Sequence, residues 1–127
     1  MTWEADMVVS ANNDRYVVGV DYGTLSGRAL VVRVSDGTEA GTAVHEYRHG
    51  VMDRELAATG ERLPPDWALQ DPADYLAVLR TAVPAAVQCA GIDPAAVIGV
   101  ATDFTACTVL PTIHLGLYTL RPPPVGY

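Results

Sequence analysis

The sequence predicts an α/β fold: an antiparallel three-strand meander, then a helix, then a fourth strand parallel to a strand of the meander. Three strand-like stretches joined by short connections lie between residues 16 and 49. A capped helical pattern occupies residues 71–91, and another apolar strand pattern follows at residues 97–101. Because a strand reached through a helix commonly runs parallel to an earlier strand, the fourth strand is expected to join the same sheet.

Length and composition favour a single cytoplasmic domain. The chain has 127 residues, half of them hydrophobic, which suits one packed core rather than disorder. No apolar run reaches the roughly 18 residues of a membrane span, and residues 1–15, predicted as a flexible arm, lack the apolar segment of a signal peptide. The net charge of −7 disfavours nucleic-acid and membrane partners, which require a basic face. Cys89 and Cys107 lack metal-site or disulfide spacing, so buried free thiols are expected.

The stretch YVVGVDYGTLSGR at residues 16–28 contains the strongest chemical signal. An apolar strand at 16–21 ends on Asp21, a turn rich in Gly, Thr and Ser follows at 22–27, and a second strand is expected at 28–34. Backbone N–H groups in such turns bind phosphate, and a neighbouring carboxylate suits a magnesium ion. The pattern therefore predicts a nucleotide-phosphate site. The alternative is an ordinary hairpin whose glycines allow positive φ.

The segment between the second strand and the helix carries weaker signals. After a turn at residues 35–38, alternating side chains at 43–49 predict a third strand near an edge of the sheet. Residues 51–70 show neither the helical nor the strand period, and Pro64 and Pro65 interrupt them. An irregular excursion is expected there, a kind of segment that is often functional in compact domains.

The helix has recognisable start and stop signals. Asp71 is the expected N-cap and Pro72 the first helical residue, and apolar side chains then recur at helical spacing. Gly91 is expected to end the helix, while Pro84 is expected to kink it or to remove one backbone hydrogen bond. Residues 93–96 are expected to form a short turn before the fourth strand.

The fourth strand also leads to a carboxylate, Asp103, within the stretch TDFTACT. The predicted order of elements is the opening of a ribonuclease-H-like or actin-like ATPase domain, here partial. In that arrangement the first and fourth strands are neighbours. Asp21 and Asp103 are therefore expected to face one crevice at the carboxyl ends of the strands, where open α/β sheets bind ligands.

Four blocks of the sequence resemble the amino-terminal part of the FGGY carbohydrate kinases and, within that family, the ribulokinase group. The blocks are VGVDYGTLSGRA (18–29), YRHGVMD (47–53), WALQDPADYLAVL (67–79) and VIGVATDFTACTVLP (97–111). The resemblance implies that residues 16–111 form a partial N-terminal kinase domain. Residues 112–127 do not continue the pattern and are expected to form a divergent, irregular tail.

The resemblance also implies a reaction: phosphoryl transfer from ATP, with Mg²⁺, to a hydroxyl of ribulose or of a related ketopentose or polyol. The implied cofactor-binding residues are Asp21 (also the Mg²⁺ ligand), Gly23, Thr24, Leu25 and Ser26 of the first phosphate loop, and Arg28 beside the phosphates. The implied sugar-binding residues are Asp103, Thr105, Ala106 and Cys107. Three of these have ordinary structural alternatives: Arg28 as a surface ion-pair partner, Asp103 as a capping acid, and Cys107 as a core thiol.

Members of this family are much longer, with two actin-like domains and an active site in the cleft between them. The chain lacks the region expected to carry the catalytic-base aspartate and the adenosine-binding motifs. A truncated kinase fragment, inactive alone, is therefore expected, because phosphoryl transfer depends on positioning all reacting groups together. Two alternatives stay open. One is a small ribonuclease-H-like nuclease whose strand-end acids bind two metal ions, and the other is a noncatalytic fragment that self-associates through exposed apolar surface.

Overall fold

The computed structural model describes residues 13–105, which form a four-stranded mixed sheet with one long helix packed on one face. A separate two-stranded ribbon lies between the third strand and the helix in sequence. The elements are β1 (Tyr16–Tyr22), β2 (Ser26–Arg33), β3 (Glu39–Glu46), β4 (Val51–Met52), β5 (Leu69–Gln70), α1 (Pro72–Ala90), a 3₁₀ turn (Pro94–Ala96) and β6 (Val97–Phe104).

The strand order in the main sheet is β3-β2-β1-β6. The first three strands pair antiparallel, and β6 pairs with β1 in parallel. The predicted α/β class, the meander, the helix and the parallel last strand are therefore confirmed. Among residues 13–105, no helix has the length and apolar composition that crossing a membrane requires.

Burial along β1 alternates strictly, so the strand is covered on one face. Tyr16, Val18, Val20 and Tyr22 are buried, whereas the residues between them are exposed. The buried face packs against helix α1, whose inward residues include Val78 at 0% exposure. The apolar run of β1 is typical of a buried strand, but Val17 is 36% exposed, because the helix packs on the opposite face.

Two glycines let helix α1 approach the sheet closely. A Cβ added to Gly41 of β3 would lie 2.5 Å from both the carbonyl oxygen of Ala86 and the backbone nitrogen of Ala90. A Cβ added to Gly27 of β2 would lie 2.5 Å from a methyl carbon of Val78. Both distances are well inside van der Waals contact, so the helix can sit at this depth only where β2 and β3 lack side chains.

The helix begins and ends where the sequence predicted. The Asp71 side chain accepts a hydrogen bond from the backbone N–H of Ala73 at 2.9 Å, and Gly91 adopts a left-handed φ of 63°. The helix runs unbroken through Pro84 to Ala90. Cys89 is exposed on the helix, which corrects the expectation of a buried thiol, since its position does not face the sheet. Cys107 lies outside the described residues.

Two other boundaries differ from expectation. The third strand ends at Glu46 rather than continuing to residue 49. Residues 51–70 are not wholly irregular, because β4 and β5 pair antiparallel and the backbones of Glu55 and Arg62 form an isolated antiparallel β-bridge. Strands of only two residues are too short to show a period in sequence, so this ribbon had no readable signal.

Candidate functional site

Three charged side chains form a row across three neighbouring strands. Asp21 on β1 is the register partner of Asp103 on β6 and of Arg28 on β2. All three residues are exposed. Register partners on adjacent strands project from the same face, with strands about 4.8 Å apart, so the row Arg28–Asp21–Asp103 lies on one surface.

The row lies on the face opposite helix α1. Asp21 stands between Val20 and Tyr22 in β1, and the burial pattern puts both neighbours on the helix side. Successive side chains of a strand point to opposite faces, so Asp21 projects from the open face. The row is also at the carboxyl ends of β1 and β6, the position at which open α/β sheets bind ligands.

Two adjacent carboxylates on this row repel each other, which favours a bound cation. The backbone N–H of Phe104 donates to Oδ1 of Asp103 at 2.9 Å, and among the described residues no hydrogen bond uses the other oxygen. Within residues 13–105 no group of three or more His, Cys, Asp or Glu side chains is placed to hold a metal alone. Magnesium commonly uses one or two carboxylates and completes its shell with water and phosphate oxygens. The pair Asp21 and Asp103 fits that kind of site.

The turn between β1 and β2 is held by a hydrogen bond within the turn and by hydrogen bonds from residues elsewhere in the chain. The N–H of Gly23 donates to the carbonyl of Ser26 at 2.9 Å, so this amide is used within the turn. The carbonyl of Thr24 accepts from Nε2 of Gln70 at 2.7 Å. The carbonyl of Leu25 accepts from the backbone N–H of Tyr47 at 2.9 Å, while the Leu25 side chain is 65% exposed.

An aromatic cluster underlies this turn on the helix side of the sheet. The rings of Tyr22 and Phe104 stack with centroids 4.5 Å apart, and Tyr75 from α1 meets both edge-on. Tyr47 meets Tyr75 edge-on at 5.8 Å. Such pairs add roughly 0.5–1.5 kcal/mol each beyond area burial. The cluster joins the ends of β1 and β6 to the start of the helix.

The predicted sugar-side residues are only partly described. Thr105 follows β6 and donates to the carbonyl of Tyr22 through its backbone N–H at 3.1 Å and its hydroxyl at 3.2 Å. This places Thr105 at the end of β1, close to the row. Ala106 and Cys107 lie outside the described residues.

Asp74 anchors the chain that follows β3. Its carboxylate, in a residue only 3% exposed, accepts hydrogen bonds from the backbone N–H of Arg48 at 3.0 Å and of His49 at 3.1 Å. Nδ1 of His49 also lies 2.9 Å from Oδ2 of Asp71. These bonds redirect the chain at residue 48 and explain why β3 ends early.

Replacing Asp74 with Ala is expected to lower the free energy of unfolding by about 3 kcal/mol, since two backbone N–H groups lose their acceptor. The matched control, Asp71→Ala, removes the N-cap carboxylate of the same helix together with its contact to Nδ1 of His49, and is expected to cost about 1 kcal/mol. Urea denaturation followed by circular dichroism measures both. Equal losses for the two variants would show that Asp74 is not a special anchor.

The aromatic cluster makes stability sensitive to alkaline pH. Burial, with smaller contributions from Tyr75, Tyr22, Asp21 and Asp74, raises the pKa of Tyr47 to about 12. An unfolded tyrosine has a pKa of about 10, so the unfolded chain releases its proton first. The stabilisation is fully present below pH ~10 and is lost as pH rises towards 12. Urea denaturation between pH 9 and 11 should show this loss, and Tyr47→Phe should reduce it; an unchanged pH dependence in that variant would contradict the assignment.

A separate concavity of about 710 Å³ lies beside the β4–β5 ribbon, lined by residues 51–55 with Arg62 and Leu63. It contains none of the residues in the charged row.

Comparison with known proteins identifies the ribulokinases as relatives of this chain. It is 65% identical to the ribulokinase of Mycolicibacterium smegmatis over 97 residues, which is 76% of this chain and 17% of that protein. It is 56% identical to the ribulokinases of Anoxybacillus flavithermus (80% of this chain, 18% of that protein) and Geobacillus thermodenitrificans (76% and 17%). No family model matches the sequence. The predicted resemblance to ribulokinases is therefore confirmed over about three quarters of this chain, which spans less than one fifth of each of these relatives.

Proposed function

We propose that this chain is the nucleotide-phosphate part of an ATP-dependent sugar kinase that phosphorylates L-ribulose. The observation that carries the proposal is the register pairing of Asp21 with Asp103 beside the Gly23–Ser26 turn. The ribulokinase names of the relatives support the sugar-kinase class. They give no support to the nuclease alternative.

Each residue of the site has a proposed role. Asp21, with Asp103 beside it, holds Mg²⁺, which when bound neutralises phosphate charge. The turn residues Gly23, Thr24, Leu25 and Ser26 form the first phosphate loop, and Arg28 supplies a positive group next to Asp21. Asp103 begins the segment in which Thr105, Ala106 and Cys107 border the sugar.

The proposed architecture is a partial ribonuclease-H-like or actin-like domain at residues 16–111. The strand order β3-β2-β1-β6, with one parallel pair, is compatible with that assignment. Residues 1–15 as an arm, residues 112–127 as a tail and a cytoplasmic location stay predictions.

We further propose that the chain alone does not phosphorylate ribulose. Phosphoryl transfer needs a base that orients the attacking hydroxyl, in addition to metal and phosphate ligands. In the proposed roles, Asp21 serves the metal and Asp103 lies between the metal and the sugar, and neither is assigned as the base, so we propose that the base comes from another segment.

A chimera tests this proposal. Residues 16–105 replace the matching segment of the Mycolicibacterium smegmatis ribulokinase, and a coupled assay follows ADP production with L-ribulose, D-xylulose and ribitol. The chimera is expected to prefer L-ribulose, and the 127-residue chain alone is expected to be inactive. A folded but inactive chimera would contradict the kinase role. Activity in the chain alone would contradict the need for a base from elsewhere.

Self-association through apolar surface is a second candidate, because β6 lies at one edge of the sheet that residues 13–105 form and carries exposed apolar side chains. Ile98 is 55% exposed, Val100 60% and Phe104 45%. Unprotected edge strands promote pairing between molecules. Sedimentation velocity is expected to show oligomers of the wild-type chain, and Val100→Lys is expected to dissociate them. Species with exposed edges associate at micromolar to millimolar concentrations, so a wild-type chain that stays monomeric at about 100 μM would contradict this proposal.

A further inference from the structure

The carbonyl of Thr24 in the proposed phosphate loop is held by a side chain from a distant segment. Gln70, at the end of β5, donates from Nε2 to the Thr24 carbonyl oxygen at 2.7 Å. This contact joins two parts of the chain 46 residues apart. It therefore exists only once the β4–β5 ribbon has folded against the β1–β2 hairpin.

The Gln70 amide is itself fixed in orientation. The hydroxyl of Tyr75 lies 2.5 Å from Oε1 of Gln70, and a phenol hydroxyl donates to a carbonyl oxygen. With Oε1 occupied by that donor, the NH₂ group must face the opposite partner, the Thr24 carbonyl. Tyr75 is in turn held in the aromatic cluster with Tyr22 and Phe104.

Fixing one carbonyl also fixes the N–H of the next residue. The described chain contains no cis peptide bond, and in a trans peptide unit the C=O and the following N–H point in opposite directions. The Thr24 carbonyl points to Gln70, so the Leu25 N–H points away from it. Among the hydrogen bonds between described residues, none uses the Leu25 N–H as donor.

We propose that Gln70 is a positioning residue that aims the Leu25 N–H at a phosphate oxygen. Backbone N–H groups without a partner inside the turn are the donors that anion-binding turns provide. This inference rests on the proposed function of the turn as a phosphate loop. Gln70 acts through the peptide it holds, and Tyr75 acts through Gln70.

The test uses the full ¹⁵N-labelled chain and inorganic pyrophosphate with Mg²⁺ as the probe. Gln70→Met removes the amide at nearly constant volume and without a change of charge. Tyr75→Phe removes only the hydroxyl that orients it. Gln88→Met, at an exposed position of helix α1, is the matched control. Two readouts are taken: the Leu25 amide resonance in the ligand-free protein and the pyrophosphate affinity.

Gln70→Met is expected to move the Leu25 amide resonance and to weaken pyrophosphate binding about tenfold, the effect of losing one well-placed hydrogen bond. Tyr75→Phe is expected to give a smaller change in the same direction, and Gln88→Met none. A Leu25 resonance or an affinity in Gln70→Met that matches Gln88→Met would overturn the inference. If wild type does not bind pyrophosphate but Gln70→Met still moves the Leu25 resonance, Gln70 orients the peptide and the phosphate role of the turn is the part that fails.

Discussion

A ribulokinase chimera carrying Asp21→Asn is expected to lose about a hundredfold or more in kcat for L-ribulose phosphorylation. The substitution keeps the size of the side chain but removes the charge beside Asp103. Loss of a group that stabilises transition-state charge in a preorganised site typically costs 10²–10³ in rate. Steady-state assays over a range of Mg²⁺ and ATP concentrations measure the loss, and the KM for Mg-ATP is expected to rise as well.

The control for this prediction is Glu39→Gln in the same chimera. Glu39 is exposed at the start of β3, at the other end of the sheet, and its substitution removes the same unit of charge. Its kcat is expected to stay within about twofold of the unsubstituted chimera, since surface charges that far away are screened. Equal kcat values for the Asp21 and Glu39 variants would show that Asp21 is not part of the active site.

The largest expected effect on folding comes from Gly41→Ala, which should lower the free energy of unfolding by about 3 kcal/mol. The new Cβ would lie 2.5 Å from backbone atoms of both Ala86 and Ala90. Backbone atoms of a helix cannot turn aside as a flexible side chain can, so the helix must lift from β3. Thermal and urea denaturation measure the loss, and Gly41→Val is expected to prevent folding.

Gly19→Ala provides the matched control for this change. Gly19 also lies in a strand of the main sheet, but nothing lies within 4 Å of the position that its Cβ would take. Its substitution is expected to be neutral or to stabilise the protein by up to about 1 kcal/mol through the unfolded state. Similar losses of unfolding free energy for the two variants would show that replacing any glycine in a strand destabilises the sheet, and that the contact with the helix is not the cause.

Some elements could be predicted from the sequence because they depend on interactions between residues close together in the chain. Asp71, Pro72 and Gly91 marked the ends of the helix because capping depends on residues next to one another in the chain. The parallel pairing of β6 followed from the order of elements, and it brought Asp21 and Asp103 into register. The row was thus predictable in outline from two strand-end acids.

Contacts between residues that are distant in the chain could not be predicted from the sequence. Asp74 is an acid in the first turn of the helix, and its carboxylate accepts hydrogen bonds from backbone N–H groups 25 and 26 residues away, which no local pattern indicates. Gln70 lay in a stretch without period, and its contact with Thr24 depends on a two-strand ribbon. The alternating pattern that predicted β3 to residue 49 failed because Asp74 competes for the same N–H groups.

The most direct test of the proposed site is a titration of the ¹⁵N-labelled chain with Mg-ATP, followed by amide chemical shifts. The site predicts saturable changes at Asp21, residues 23–28 and Asp103, with a Kd on the order of 1 mM for a partial site. Asp21→Asn should abolish them. Shifts confined to residues 51–63, or no saturable shift at all, would contradict the assignment of the strand-end row to nucleotide phosphate.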